Sequence, residues 1–453
     1  MKKIIVKWVI FLLTFVIALL VAGRVMNHDN QNMTMELSAA SFPVITLEKG
    51  DILYNEIHGY AQAMDIACQR GTIAELGENR ELIFRIDTYG AELAGIRMEV
   101  RSRDGQRLIE NTEITGFEQG DVIRVETALK DLIEKDKEYS LVLVLTDSSG
   151  REIWYYTRAI WSDNTWGYEK LAYVRDFHEK TFDREAAREL IKYLESNSQG
   201  DNTSFHRVDI HSSFQQITWG DLDIRRLTDP AVNLLELASQ TASMELHYLV
   251  STGGGEDRNC YLVEEFYRIR YTSERVYLLD FERTMEQIPA VEGDIYGNDK
   301  IMLGIVGEDL VLVESADGNI VVFEVAGRLL SYNVNTNRLA LLFSFYEDQS
   351  QNARVQWDAR NMYQKYDLKI LDVDEGNNVQ FAVYGYMNRG RHEGEVGIQL
   401  YTYNSEQNTI EELVYIPYDK SYEILHQELE QLLYLNREGK LYLHLDHGIS
   451  EVD

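Results

Sequence analysis

The chain has 453 residues, well above the roughly 100 to 200 of a single domain, so two or three domains are expected. With 45% apolar and 11% aromatic residues it can bury real cores, which excludes wholesale disorder and collagen-like or low-complexity architecture. Lys and Arg number 44 against 75 Asp and Glu, a formal charge of −31; so acidic a surface excludes nucleic acid as a partner and disfavours anionic lipid or wall polymers unless cations bridge them.

Lys2, Lys3 and Lys7 precede residues 8–23, WVIFLLTFVIALLVAG, which carry no charge. Counted from Ile4, with Lys7 snorkelling, the stretch reaches the roughly 20 residues that span a hydrocarbon core. The lysine bias puts the N-terminus in the cytoplasm and the rest outside, giving a cytoplasmic stub and transmembrane anchor over residues 1–26. Signal-peptide cleavage after Gly23 is the competing reading, although the apolar run is long for it. Cys68 and Cys260 are the two cysteines, too few for a disulfide scaffold and, in an exported chain, a pattern that suits a Gram-positive bacterial envelope.

A polar tether, residues 27–41, leads to strand-like alternation over residues 42–160. Ile96, Met98 and Val100 alternate with Arg97, Glu99 and Arg101 before the turn Asp104-Gly105 and the return through Leu108 and Ile109. A second hairpin runs from Tyr139 to Leu145, turns at Asp147-Ser-Ser-Gly150 and returns through Ile153 to Tyr156. Strand count and turn spacing predict an immunoglobulin-like β-sandwich of about seven strands. Residues 161–230 read as a connector with one amphipathic helix, because Ala187, Leu190, Ile191 and Leu194 recur at helical spacing.

Residues 231–453 read as β-propeller-like repeats of four-stranded antiparallel units. The hairpin around Tyr332-Asn333 and Asn337 lines up with that around Tyr403-Asn404 and Asn408, and a weaker copy surrounds Tyr271. Further strands flank Asp317-Gly318 and Glu375-Gly376-Asn377, so residues 368–416 form four consecutive strands. Residues 421–431 are a helix candidate, and residues 432–436 and 440–445 supply half a unit. Such an array does not close a ring unless strands near residues 205–219 return to complete it or the sequence is part of a longer chain; a second sandwich plus irregular sheet is the rival reading. The predicted class is therefore mainly β: anchor, sandwich, helical connector and an incomplete propeller-like array.

Motifs for known chemistries are missing from the sequence. His178-Glu179 and His392-Glu393 do not continue to HExxH, and neither CxxC nor a G-x-S-x-G elbow occurs. Two clusters offer ligands. His206, Asp209 and His211, with Asp221 and Asp223 nearby, supply imidazole and carboxylate groups for a metal such as zinc, and His444, Asp446 and His447 form a similar group. Asp372 and Asp374, before Gly376, resemble part of a calcium loop, though the distal bidentate Glu is missing and a hairpin turn explains them as well. No cofactor is identified; calcium is the one candidate. The 28 tyrosines are first of all good sheet formers.

These features point to a membrane-anchored extracytoplasmic binding or interaction protein, held by its N-terminal helix, with a protein or cell-wall partner and without catalysis. A metal-dependent extracytoplasmic hydrolase using His206, Asp209 and His211 is one alternative. An accessory sensor subunit of a membrane signalling or transport complex is the other.

Overall fold

The computed structural model describes residues 7, 14–15, 37–254, 258–289, 303–307, 310–336, 338–346, 358–407, 409–436, 438–446 and 448–452. Most of the apolar stretch 8–23 lies outside the described residues, among which no helix is long and apolar enough to cross a membrane. The architecture is mainly β, built of several antiparallel sheets.

The first nine strands are β1 (Val44–Lys49), β2 (Ile52–His58), β3 (Ile73–Glu75), β4 (Glu81–Asp87), β5 (Leu93–Arg101), β6 (Leu108–Ile114), β7 (Val122–Ala128), β8 (Glu138–Asp147) and β9 (Glu152–Ile160). They form two sheets, ordered β2-β1-β4-β7 and β3-β9-β8-β5-β6, with a single parallel pair, β3 and β9. Leu47, Phe84 and Ile86 of one sheet share a core with Met98, Leu141, Leu143 and Leu145 of the other. In β8 the alternate residues Val142 and Val144 are buried too, in a second cluster, so the apolar run Leu141–Leu145 is a strand covered on both faces. Both expected hairpins form, with Gly105 (φ +72°) and Gly150 (φ +88°) taking the left-handed turn positions.

Residues 161–230 hold more regular structure than the one expected amphipathic helix. A helix missed by the sequence reading, Gly167–Thr181, buries Leu171, Val174 and Phe177. The expected amphipathic helix is a 3-10 helix, Ala186–Tyr193, that buries Ala187 and Leu190 but leaves Ile191 exposed. Both pack with a six-stranded sheet: β10 (Arg207–Asp209), β11 (Arg225–Arg226), β12 (Ala231–Leu237), β13 (Thr241–Thr252), β14 (Asn259–Tyr271) and β15 (Val276–Ile288), ordered β10-β15-β14-β13-β11 with β12 also on β13. One continuous core runs from Phe42 to Met285, through the sandwich, the helix and this sheet. Asn55 is a joint within it. Fully buried at φ +53°, it donates Nδ2–H to Ile73 O (2.8 Å) and accepts from Leu234 N (2.7 Å), tying β2 to β3 and β12.

The remaining strands are β16 (Leu312–Glu314), β17 (Ile320–Val325), β18 (Arg328–Asn333), β19 (Arg338–Ser344), β20 (Tyr366–Val373), β21 (Val379–Tyr386), β22 (Val396–Asn404), β23 (Thr409–Tyr418), β24 (Leu433–Leu435), β25 (Leu441–Leu445) and β26 (Gly448–Val452). They make two four-stranded meanders, β16 to β19 and β20 to β23, and a three-stranded sheet, β24 to β26. The Tyr-Asn repeat is the last hairpin of each meander, and Asn333 and Asn404 each accept from the backbone N–H three residues on, at 3.0 Å. The weaker copy at Tyr271 is instead the β14–β15 hairpin of the long sheet. Phe343 and Phe345 of the first meander pack on Phe381 and Tyr401 of the second, whose other face meets the helix Tyr422–Gln431 and the three-stranded sheet.

No closed propeller forms among the described residues. β10 pairs with β15 rather than with β25, which pairs with β24 and β26, so the return of residues 205–219 into the last unit does not occur. Instead the sandwich docks on the second meander: Tyr60 packs edge-on to Tyr386, whose hydroxyl donates to Gly59 O at 2.7 Å. The chain before β1 is pinned there as well. Arg389 donates to the carbonyls of Leu37 and Ser38, and Glu393 accepts from Ser41 N and Phe42 N, so the end of the expected tether is docked.

Candidate functional site

In β13, Leu246 and Tyr248 point into the core, so Glu245 and His247 share the opposite face. Register places Asn233 and Ala231 of β12 on one side of them and Glu264 of β14 beside His247 on the other. This polar face forms one wall of a cavity of about 290 Å³. Glu56 and His58 of β2 with Thr72 form a second wall, and residues 359–365 close a third with Tyr363 and Lys365. The cavity thus lies where sandwich, long sheet and meanders meet.

Its charges are arranged in pairs. His247 Nε2 is 2.7 Å from Glu245 Oε1 and Nδ1 is 3.4 Å from Glu264 Oε1. Burial opposes the imidazolium, but the two carboxylates outweigh it and raise His247 to about 10. Burial likewise opposes the charge on Lys365, whose titration is nevertheless raised by Glu423, 3.2 Å from its Nζ, and by Glu245. His58 is held by Glu56 at 3.1 Å and stacks on Tyr363 with ring centroids 3.9 Å apart. A smaller pocket, about 60 Å³, continues from Tyr363 and Lys365 to Tyr60, Tyr156 and Tyr422.

A second cavity, about 250 Å³, is lined by His206, Glu286 and Glu324. Burial, then the charges of Asp367 and Glu286, push Glu324 up to about 7.

On the core side of β14, Glu265 is fully buried. It accepts from Tyr248 Oη (2.8 Å), Tyr267 Oη (2.7 Å) and His178 Nδ1 (2.9 Å), with Arg283 Nη1 at 3.8 Å. Burial alone would favour the neutral acid, yet His178 and then Arg283 hold the Glu265 carboxyl down at about 2.

The sequence-derived candidates fall elsewhere. Among the described residues, the one set of three His, Cys, Asp or Glu with ligand atoms within 4.8 Å of one another is Glu245, His247 and Glu264. His206, Asp209 and His211 are not brought together: the chain turns after β10, Asp209 accepts from His211 N and Ser212 Oγ, His211 Nδ1 meets Asn197, and His206 lines the second cavity. Asp223 pairs with Arg225. Asp446 pairs with Lys420, and His447 lies outside the described residues. Asp372 and Asp374 are exposed; Asp374 accepts from Asn378 N (2.8 Å) and Nδ2 (2.7 Å), which staples the β20–β21 turn. Glu245 and His247 carried a signal, two titratable residues on the polar side of an alternating strand, but Glu264 joins them only through strand pairing.

No family model matches the chain, and no curated protein matches it. Several solved structures show weak likeness. The extracellular domain of a one-component system from B. thetaiotaomicron is 12% identical over 46% of this chain and 26% of its own, with a TM-score of 0.18. The extracellular domain of a hybrid two-component system from the same organism is 11% identical over 93% of this chain and 39% of its own, at 0.19. The sporulation control protein Spo0M from Bacillus subtilis is 10% identical over 54% of this chain and 91% of its own, at 0.17. The chain thus spans well under half the length of the two extracellular domains, and likeness at this level assigns neither fold nor activity.

Proposed function

We propose that the chain is a membrane-anchored binding protein of a bacterial cell envelope, of Gram-positive type, with its β-built body outside the cytoplasm and its ligand taken in the junction cavity. The anchor reading rests on residues 8–23 and the lysines before them. The immunoglobulin-like reading of residues 42–160 is supported by their two-sheet core. The observation that carries the ligand reading is a cavity of about 290 Å³ whose walls come from three separate parts of the chain and converge several polar groups. Glu56, Asp229, Glu245 and Glu264 outnumber Lys365 and His247 there, which favours a neutral or cationic ligand. A ligand held at such a junction would also tie sandwich to meanders, which supports the accessory-sensor reading. The hydrolase reading draws no support from His206, Asp209 and His211, which stand apart.

The test is a thermal-shift screen of the full chain in detergent against envelope extracts and small amines, run beside Ala231→Trp, which fills the cavity. A ligand that raises the Tm of wild type but not of Ala231→Trp supports the proposal. Equal shifts in both contradict it.

A further inference from the structure

We propose that His247 and Glu264 bind a divalent transition-metal ion of the zinc or manganese type in the junction cavity, with Glu245 orienting the imidazole from its other side. The inference stands on the geometry of these three side chains and is independent of the compartment and ligand proposed above.

The two carboxylates do not treat the ring alike. Glu245 Oε1, 2.7 Å from Nε2, is close enough to hold that nitrogen's proton. Such a carboxylate behind a histidine keeps the Nε2 proton in place, so Nδ1 is the nitrogen that gives up its proton and turns its lone pair to a metal. Glu264 Oε1 lies 3.4 Å from Nδ1, long for a charge-assisted hydrogen bond. Two ligands with bonds of roughly 2.0–2.1 Å at a tetrahedral angle stand about 3.3 Å apart, so the spacing suits one metal shared by Nδ1 and the carboxylate. The ion takes the place of the proton on Nδ1, and that proton leaves to solvent.

The surroundings fit as well. β13–β14 pairing sets His247 directly opposite Glu264 on rigid strands, and the adjoining cavity leaves room for water or a ligand at the remaining coordination positions. Lys365 lines the same cavity, but its ammonium is taken up by Glu423. An imidazole in the set favours zinc, manganese or cobalt over calcium, which prefers all-oxygen sites.

The experiment is titration of the metal-stripped full chain with Zn²⁺ by calorimetry, with metal content measured after dialysis. One zinc per chain is expected, with affinity lost at least 100-fold in Glu264→Gln and in His247→Ala, lowered roughly 10- to 100-fold in Glu245→Gln, and unchanged in His206→Ala. Circular dichroism of each variant separates loss of the site from loss of the fold, and the near-isosteric Glu264→Gln keeps the test sharp should His247→Ala misfold. Folded wild type that takes up no zinc at millimolar ion overturns the proposal. So does zinc binding that survives Glu264→Gln, or a site that takes calcium and refuses zinc.

Discussion

Glu265→Gln is the substitution whose cost the structure defines most closely. The carboxylate has no exposure and faces two tyrosine hydroxyls, an imidazole N–H and, at 3.8 Å, the buried Arg283 guanidinium. Arg226 can only donate to His178 Nε2, so Nδ1 is the ring's donor to Glu265. The amide keeps one acceptor oxygen, turns an N–H₂ against groups that also donate, and removes the charge that balances Arg283. Breaking one side of a buried pair costs about 3–5 kcal/mol. The shared core runs over residues 42–285, a unit for which each kcal/mol shifts Tm by roughly 2–4 °C, so a fall of roughly 6–20 °C is predicted. Thermal unfolding followed by tryptophan fluorescence reads the Tm and urea unfolding the free-energy difference, because Trp219 lies against Arg283 with its guanidinium carbon 3.5 Å from the ring centroid. The pH dependence has a definite sign. With the folded pKa lowered to about 2, the unfolded chain binds more protons between that value and the ordinary carboxylate range. The advantage of wild type over Glu265→Gln is therefore full above about pH 5 and shrinks as pH falls toward 2. A Gln variant within about 1 kcal/mol of wild type at pH 7 would refute the reasoning.

Asn55→Ala loses both hydrogen bonds and places a Cβ residue at φ +53°, so it should cost more than Asn55→Gly by about 1 kcal/mol, read from urea midpoints. Glu324 has its folded pKa raised to about 7, so the folded chain binds the extra proton between the unfolded value and 7 and wild type loses stability as pH rises through that window. Glu324→Gln should then raise Tm at pH 8 and leave it unchanged at pH 4; equal effects at both would contradict the assignment. At Gly394 (φ +77°) a Cβ would overlap the Phe42 ring and come 2.9 Å from Ala61 N. Gly394→Ala should loosen the sandwich from the second meander and speed limited proteolysis before β1, with far-ultraviolet circular dichroism retained.

Much of the β architecture was legible because its signals are local. Period-two alternation and turn residues such as Asp104-Gly105 and Asp147 to Gly150 define hairpins without reference to the rest of the chain. The Tyr-Asn repeat likewise marked the same hairpin in both meanders, since the Asn side chain closes its own turn. The helix Gly167–Thr181 escaped notice because its buried face includes Lys170 and His178, whose polar ends find partners in the β12–β13 turn and in β14. Residues 205–219 do not return to the last unit, because which sheet β10 joins depends on non-local pairing. The candidate site was hidden for the same reason. Sequence proximity suggested His206, Asp209 and His211, but a turn separates them, whereas Glu264 reaches His247 across a β ladder.

The most direct test of the envelope assignment is labelling of intact bacteria with a membrane-impermeant maleimide. The reporter is Ser148→Cys, an exposed turn position, in a chain with Cys68 and Cys260 replaced by serine. Labelling of whole cells, with the protein in the membrane fraction, is the predicted result. Labelling only after lysis would contradict it.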